Sequence, residues 1–230
     1  MKDQITYTYK RNRLSIFLGV FFFLQAATSL ISGAFLFNPL IDDSNIVITM
    51  TNMANNPVTV QAAILFDMIT AIGIIILGIC LYQLLKKTDK LLASIGLGLY
   101  IFEATLLVVS KYVAFILLGL SSLYIDSPTV EIANYASIVL DLNGFIYSSH
   151  IIPFGIAAFI FYYLLYKSNV IPRWMSLWGI ITVSVVLIGV VLMMYNVNVP
   201  FILLVPYVPF EFGVGIFIFV KGVRIIETDL

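Results

Sequence analysis

Cysteine is nearly absent. Cys80 stands alone in 230 residues, so an internal disulfide framework is excluded, and the residue reads as a small apolar filler in a helix. Histidine is equally scarce: His150 is the only one, which excludes paired-histidine metal motifs and leaves it the one histidine candidate for a metal. Charge is also thin, at 10% of residues, where soluble domains carry roughly one quarter. Its signs cancel, 12 Lys and Arg against 12 Asp and Glu, so nothing in the net charge draws the chain to nucleic acid. The sequence has no Gly-rich phosphate loop, no Cys pair and no Gly-x-Ser-x-Gly elbow, and no cofactor is indicated. Gly96-Leu-Gly98 follows no strand and reads as helix packing. No low-complexity linker interrupts residues 1–230, which read as one domain.

What fills the space is apolar: 61% of the residues are hydrophobic and mean hydropathy is +1.07. There is too little polar surface to cover a water-soluble body, and a bilayer is the solvent that accepts the excess. Crossing a hydrocarbon core of about 30 Å takes about 20 helical residues. Segments 14–37, 58–85, 91–118, 132–166, 174–195 and 201–220 are each long enough. The sequence therefore predicts an all-α, polytopic transmembrane bundle of about six spans. The first apolar segment is too long for a signal peptide, has no small-x-small cleavage site after it, and reads as a retained helix. The loop from Asn38 to Pro57 has room for a short surface helix. The fourth segment exceeds one straight span, so its first turns, Ile132 to Leu140, are expected at or above the outer interface.

Basic residues give an orientation. Lys2, Lys10, Arg11 and Arg13 precede the first span; Lys86, Lys87 and Lys90 follow the second; Lys167 and Arg173 follow the fourth; Lys221 and Arg224 follow the sixth. The other loops hold Asp42, Asp43 and Asp126 but no Lys or Arg. Positive charge on every second loop places that side, and both termini, in the cytoplasm. Asn56-Pro57 and Ile171-Pro172 mark helix starts, and Trp174 and Trp178 suit the cytoplasmic interface. Three spans followed by three is the layout of an inverted repeat, whose one echo here is Phe102-Glu103 against Phe210-Glu211.

Polar side chains inside spans cost several kcal/mol unless they find partners or a cavity. Asp67, Glu103, Lys111, Asn143, His150 and Glu211 are therefore the candidate binding residues. Counting the rise per residue, Glu103 lies about 18 Å from Leu91, Glu211 about 15 Å from Lys221, Asp67 roughly 13 Å and Lys111 about 10 Å below the outer ends of their helices. The set occupies the outer half of the bundle down to the midplane. Glu103 and Ser110 share a face, and Lys111 is long enough to bend towards it; Asn143, Tyr147 and His150 share another. Asp141 points away from His150 on a straight helix and is the weaker member. In the last span Pro206 and Pro209 each remove a backbone donor, which predicts a break, a restart at Pro209, and Glu211 in the first turn, where free N–H groups favour a negative charge.

Leu140-Asp-Leu-Asn-Gly144, Phe154-Gly155 and Tyr166-Lys-Ser-Asn-Val-Ile-Pro-Arg-Trp174, with Phe66-Asp67, Phe102-Glu103-Ala104 and Phe210-Glu211 through Val220-Lys-Gly-Val223, resemble a bacterial six-helix membrane family. It is catalogued as domain of unknown function number 4386. The resemblance covers nearly the whole chain and implies a multi-pass protein of the bacterial inner membrane, with no assigned activity to carry over. It also implies a departure: a histidine is common in the family where Asn143 stands and frequent near Ala157, while this chain has His150 on the Asn143 face.

Three functions fit these residues. The leading one binds or transports an ion or small molecule at a polar site in the outer half of the bundle, with Glu103 and Glu211 central and Asp67 and Lys111 tuning them. The second is an accessory or immunity-type partner of another membrane protein, or a homo-oligomer. The third is a metal-assisted intramembrane enzyme using His150 and two carboxylates.

Overall fold

The computed structural model describes residues 7–195, 197–203 and 205–226. Lys2 lies outside the described residues, and the expected sixth span, 201–220, is described except at position 204. The architecture is all-α apart from one small ribbon. Helix α1 (Arg13–Leu30) continues as a π-helical stretch, Ile31–Phe37, and a 3-10 turn, Asn38–Leu40. The surface helix expected in the following loop is α2 (Ile46–Asn55). Then come α3 (Pro57–Leu85), α4 (Lys90–Asp126), α5 (Val130–Ser168), α6 (Arg173–Met194) and α7 (Tyr207–Lys221).

Among the described residues five helices, those beginning at Arg13, Pro57, Lys90, Val130 and Arg173, are long and apolar enough to cross a membrane. Exposure along them is inverted relative to a soluble protein. On α3, Val58, Leu65, Ile72 and Ile79 recur every seventh residue and are all exposed, while Val60, Ala63, Asp67, Ala71 and Ile74 are buried. Residues seven apart nearly eclipse, so this is one lipid-facing stripe opposite an inner face that carries the polar groups. Such a helix is apolar on both sides, as a bilayer solvent demands.

Two helices are longer than a crossing needs. The 37 residues of α4 and the 39 of α5 run about 55 and 58 Å, against a hydrocarbon core of about 30 Å. The expected span at 91–118 thus extends through Asp126, because Leu118 to Tyr124 offers no helix stop. Conversely α7 has 15 residues, about 22 Å, and is preceded by a 3-10 turn at Phe201–Leu203. The break expected near Pro206 is present, but the helix restarts at Tyr207, not Pro209. Pro206 is the cap and Pro209 sits in the first turn, where a missing N–H removes no helical bond. Glu211 is therefore one turn inside α7 rather than at its start.

The chain sorts into two compact units, one of residues 1–24, 73–101 and 152–230, the other of 25–72 and 102–151. Neither is the N- or C-terminal half, so the units do not follow an inverted repeat. The paired dipeptides diverge as well: Phe102 is exposed while Phe210 is fully buried.

The first unit, here the ribbon unit, contains α6, α7 and strands β1 (Tyr7–Lys10) and β2 (Val223–Ile226). The strands pair antiparallel, Tyr9 opposite Arg224 and Lys10 opposite Val223. The sequence reading did not foresee this ribbon. It is held by the segment that carries the Tyr166 to Trp174 motif. Asn169 ends α5 in the left-handed conformation, φ 55°, as helix C-termini favour. Its side-chain oxygen accepts from the Arg224 guanidinium at 2.8 Å, the Arg224 N–H donates to the Val170 carbonyl at 2.8 Å, and the guanidinium lies over the Tyr9 ring at 5.0 Å. Gly222 turns the chain from α7 into β2 at φ 81°, with a Cβ there only 2.3 Å from the Lys10 carbonyl oxygen.

The second unit, here the cavity unit, has a core of Phe37, Leu40, Met50, Met53, Val60, Ala114, Leu117 and Ala136. Helix α2 is amphipathic and buries Thr49, Met50 and Met53. Its start is capped by Asn45, whose side chain accepts from the Val47 N–H at 3.0 Å. At its end the Asn56 amide donates back to the Asn52 carbonyl at 2.9 Å. The first turns of α5, expected at the outer interface, pack Ala136 into this core.

Gly222→Ala is expected to lower the thermal midpoint in detergent by several degrees, since both the positive φ and the close carbonyl forbid a Cβ. Gly98→Ala, where a Cβ meets nothing within 4 Å, is expected to leave it unchanged or slightly raised. Equal effects at the two sites would contradict this description of the ribbon turn.

Candidate functional site

Four helical segments of the cavity unit are stitched by polar groups that hydrocarbon would otherwise penalise. Between the α1 segment and α3, the Thr28 and Thr70 hydroxyls meet at 2.6 Å and the Ser32 hydroxyl donates to the Ala63 carbonyl at 2.8 Å. Between α4 and α5 the Asn143 amide donates to the Ser110 carbonyl at 2.6 Å. Each such bond contributes about 0.6 kcal/mol on average in a membrane bundle. The decisive contact joins α3 and α4: the Lys111 ammonium meets the Asp67 carboxylate at 2.9 Å, with side chains only 4% and 2% exposed. The ammonium also lies over the Tyr147 ring at 4.8 Å and the Phe37 ring at 5.2 Å. Two aromatic faces and one carboxylate thus replace its lost hydration.

One flank of Lys111 borders a cavity of about 370 Å³. Its wall includes Lys111, Asn143, Gly144 and Tyr147, with Asp43 and Asp141 supplying carboxylates. Leu140, Gly144 and Tyr147 sit at i, i+4 and i+7 on α5, so one helix face supplies them. The opposite wall comes from the π-helical stretch, whose wider turn presents Gly33 and Phe37. π turns of this kind are frequent at functional sites. At the start of the α2 loop, the hydroxyl and N–H of Ser44 both donate to Asp42, which holds that carboxyl below the usual aspartate range.

Asp67, Lys111 and Asn143 come together as one polar layer. Lys111 pairs with Asp67 on the neighbouring helix, where a single-helix projection had turned it towards Glu103. Glu103 is buried on the same α4 face as Ser110 but does not line the cavity. His150 is also absent from the lining: its Nδ1 engages the Tyr147 carbonyl of its own helix, and its ring packs on Tyr147 at 4.8 Å. Asp141, the weaker member from sequence, does line the cavity, beside Leu140 and Asn143 of the same helix. Glu211 belongs to the ribbon unit. There the buried Tyr207 hydroxyl donates to Glu211 Oε1 at 2.8 Å and sits 2.8 Å from the Tyr162 hydroxyl. Sequence reasoning missed Asp43, Tyr147's contact with Lys111, and the π turn. For Tyr147 a signal existed, its place one turn from Asn143; for the π turn none did. Among the described residues no three His, Cys, Asp or Glu side chains gather as a metal ligand set.

Fold and site together define a polytopic helical membrane protein with a charged cavity walled by its own spans. The family model described as Domain of unknown function (DUF4386) matches residues 17–222. The chain belongs to that family. No curated protein and no solved structure matches.

Lys111→Met is expected to cost about 3–5 kcal/mol of stability, because it strands a buried carboxylate. Combining it with Asp67→Asn is expected to recover most of the loss. The check is denaturation in detergent of both single variants and the double. If the two losses simply add, the ion pair does not set the stability of this layer.

Proposed function

We propose that the protein binds a small polar solute in the Lys111 cavity, as part of uptake or sensing at a bacterial inner membrane. Both termini lie in the cytoplasm and the cavity faces outward. The single observation that carries this reading is the cavity itself. Its wall combines one ammonium, an amide and a phenol with two carboxylates, Asp43 and Asp141. Sites that bind small molecules pair a concave, largely preformed volume with a few placed polar groups. A structural ion pair alone needs no such volume.

The charges also narrow the ligand. Lys111 is already neutralised by Asp67, so the cavity wall is net negative through Asp43 and Asp141. A solute with an ammonium for those carboxylates and an acceptor for Lys111 or the Tyr147 hydroxyl satisfies every group; an amino-acid-sized zwitterion has that form. The orientation is supported by basic residues on alternate loops, and by a ribbon that joins the two ends of the chain on one side, as an even number of crossings requires. The metal-assisted alternative lacks a three-ligand set among the described residues.

A ligand that binds only the folded state stabilises it by about 2.7 kcal/mol at a hundredfold excess over Kd. A panel of zwitterions, organic cations and organic anions should therefore contain members that raise the thermal midpoint of the detergent-purified protein. Asp43→Asn with Asp141→Asn should abolish that rise without lowering the ligand-free midpoint, since both residues are exposed. A panel with no active member, or a rise that survives the double substitution, would overturn the proposal and leave the accessory-partner reading in its place.

A further inference from the structure

A second concavity lies wholly in the ribbon unit and has a different character. Gly19, Val20, Phe23 and Leu24 of α1 and Gly215, Ile216 and Phe219 of α7 enclose about 260 Å³ with almost no polar surface. The two helices touch closely along its floor. A Cβ on Gly19 would stand 2.8 Å from the Gly215 carbonyl oxygen, and one on Gly215 would stand 3.1 Å from that of Gly19. The glycines are thus used up in the contact between α1 and α7. The walls are bulky and face outward: Val20, Phe23, Ile216 and Phe219 are 39%, 45%, 52% and 38% exposed. The result is a furrow between two ridges, running about 8 Å along α1 from Gly19 to Leu24. An apolar concavity of this volume takes a stretch of hydrocarbon chain. A helix docking here would meet the ridges rather than a flat strip of small residues.

One end of the furrow is marked by charge. The Arg11 guanidinium lies over the Phe219 ring at 4.9 Å. Stacking uses the face of the guanidinium and leaves its in-plane N–H donors available. Lys10 and Arg13 are exposed near it in the chain, Lys221 is exposed two residues after Phe219, and among the described residues no carboxylate forms an ion pair with Arg11. An apolar furrow with the Arg11 guanidinium at its end has the profile of an amphiphile with an anionic head.

We propose that this furrow is a specific seat for an anionic glycerophospholipid. One acyl chain lies between Val20, Phe23, Ile216 and Phe219, and the headgroup phosphate is held by Arg11. The inference is independent of the cavity and its ligand.

Native mass spectrometry of the detergent-purified protein, titrated with equal phosphatidylglycerol and phosphatidylcholine, tests it. One basic contact to an anionic lipid corresponds to a preference of about fivefold. The wild type should therefore retain one phosphatidylglycerol over phosphatidylcholine by about that factor. Arg11→Gln should erase the preference while some lipid of either kind is still retained. Ile216→Trp, which fills the furrow from its lipid-exposed side, should reduce retention of both. Equal retention of the two lipids by the wild type, a preference that survives Arg11→Gln, or undiminished retention of both lipids by Ile216→Trp, would overturn the proposal. So would a dimer whose formation Ile216→Trp abolishes, since the furrow would then hold a second copy.

Discussion

A lysine and an aspartate held together away from water are the constraint on which the cavity unit rests. Neither Lys111 nor Asp67 is tolerable alone in hydrocarbon, and each lies on the inner face of its helix. Their 2.9 Å contact fixes the rotation of α3 against α4. With that rotation set, Ser110 is placed to accept from Asn143, and Phe37 and Tyr147 come to lie over the ammonium. The ion pair adds little net stability over apolar side chains of the same shape. What it supplies is a penalty on every arrangement that separates its partners.

The ribbon unit solves its own closure with different chemistry. The Asn169 and Arg224 contacts, the Gly222 turn and the pairing of β1 with β2 tie the last residues of α7 to the segment before α1. These are backbone and side-chain hydrogen bonds and left-handed turns suited to the membrane–water boundary, where water satisfies what protein does not. Inside the same unit Glu211 is satisfied by Tyr207. A kinked entry to α7 therefore coexists with a buried carboxylate.

Much of the fold was legible in the sequence because the bilayer imposes one rule, apolar length, and the chain obeys it. Five spans, the surface helix at Ile46–Asn55 and the break before α7 all follow from hydropathy and proline. The misplacements share a cause. Asp126 and Pro206 set helix ends that a hydropathy window blurs, so α4 ran longer and α7 began earlier than expected. The polar residues of the cavity unit were legible only in part: Lys111 and Asn143 line the cavity and Asp67 pairs with Lys111, while Glu103, His150 and Glu211 do not line it and Asp43 does. A helical projection gives the face on which Lys111 lies, but not which neighbour that face meets, so Asp67 rather than Glu103 could be found only in three dimensions. The π turn at Ile31–Phe37 has no composition of its own. The two-stranded ribbon was invisible because four-residue strands carry no usable periodicity. The Tyr166 to Trp174 motif carried the family resemblance, and the structure shows its physical work: a turn that anchors β2.

The central claim, that the Lys111 cavity is water-filled and opens outward, is tested most directly by chemical labelling in intact cells. Gly144 lines the cavity, and a Cβ there meets nothing within 4 Å, so Gly144→Cys places a thiol in the site without distorting it. Cys80 is buried and is replaced by alanine as background control. The account predicts that a membrane-impermeant maleimide modifies the Gly144→Cys protein from outside unbroken cells. Modification only after the cells are permeabilised, or none at all, would contradict it.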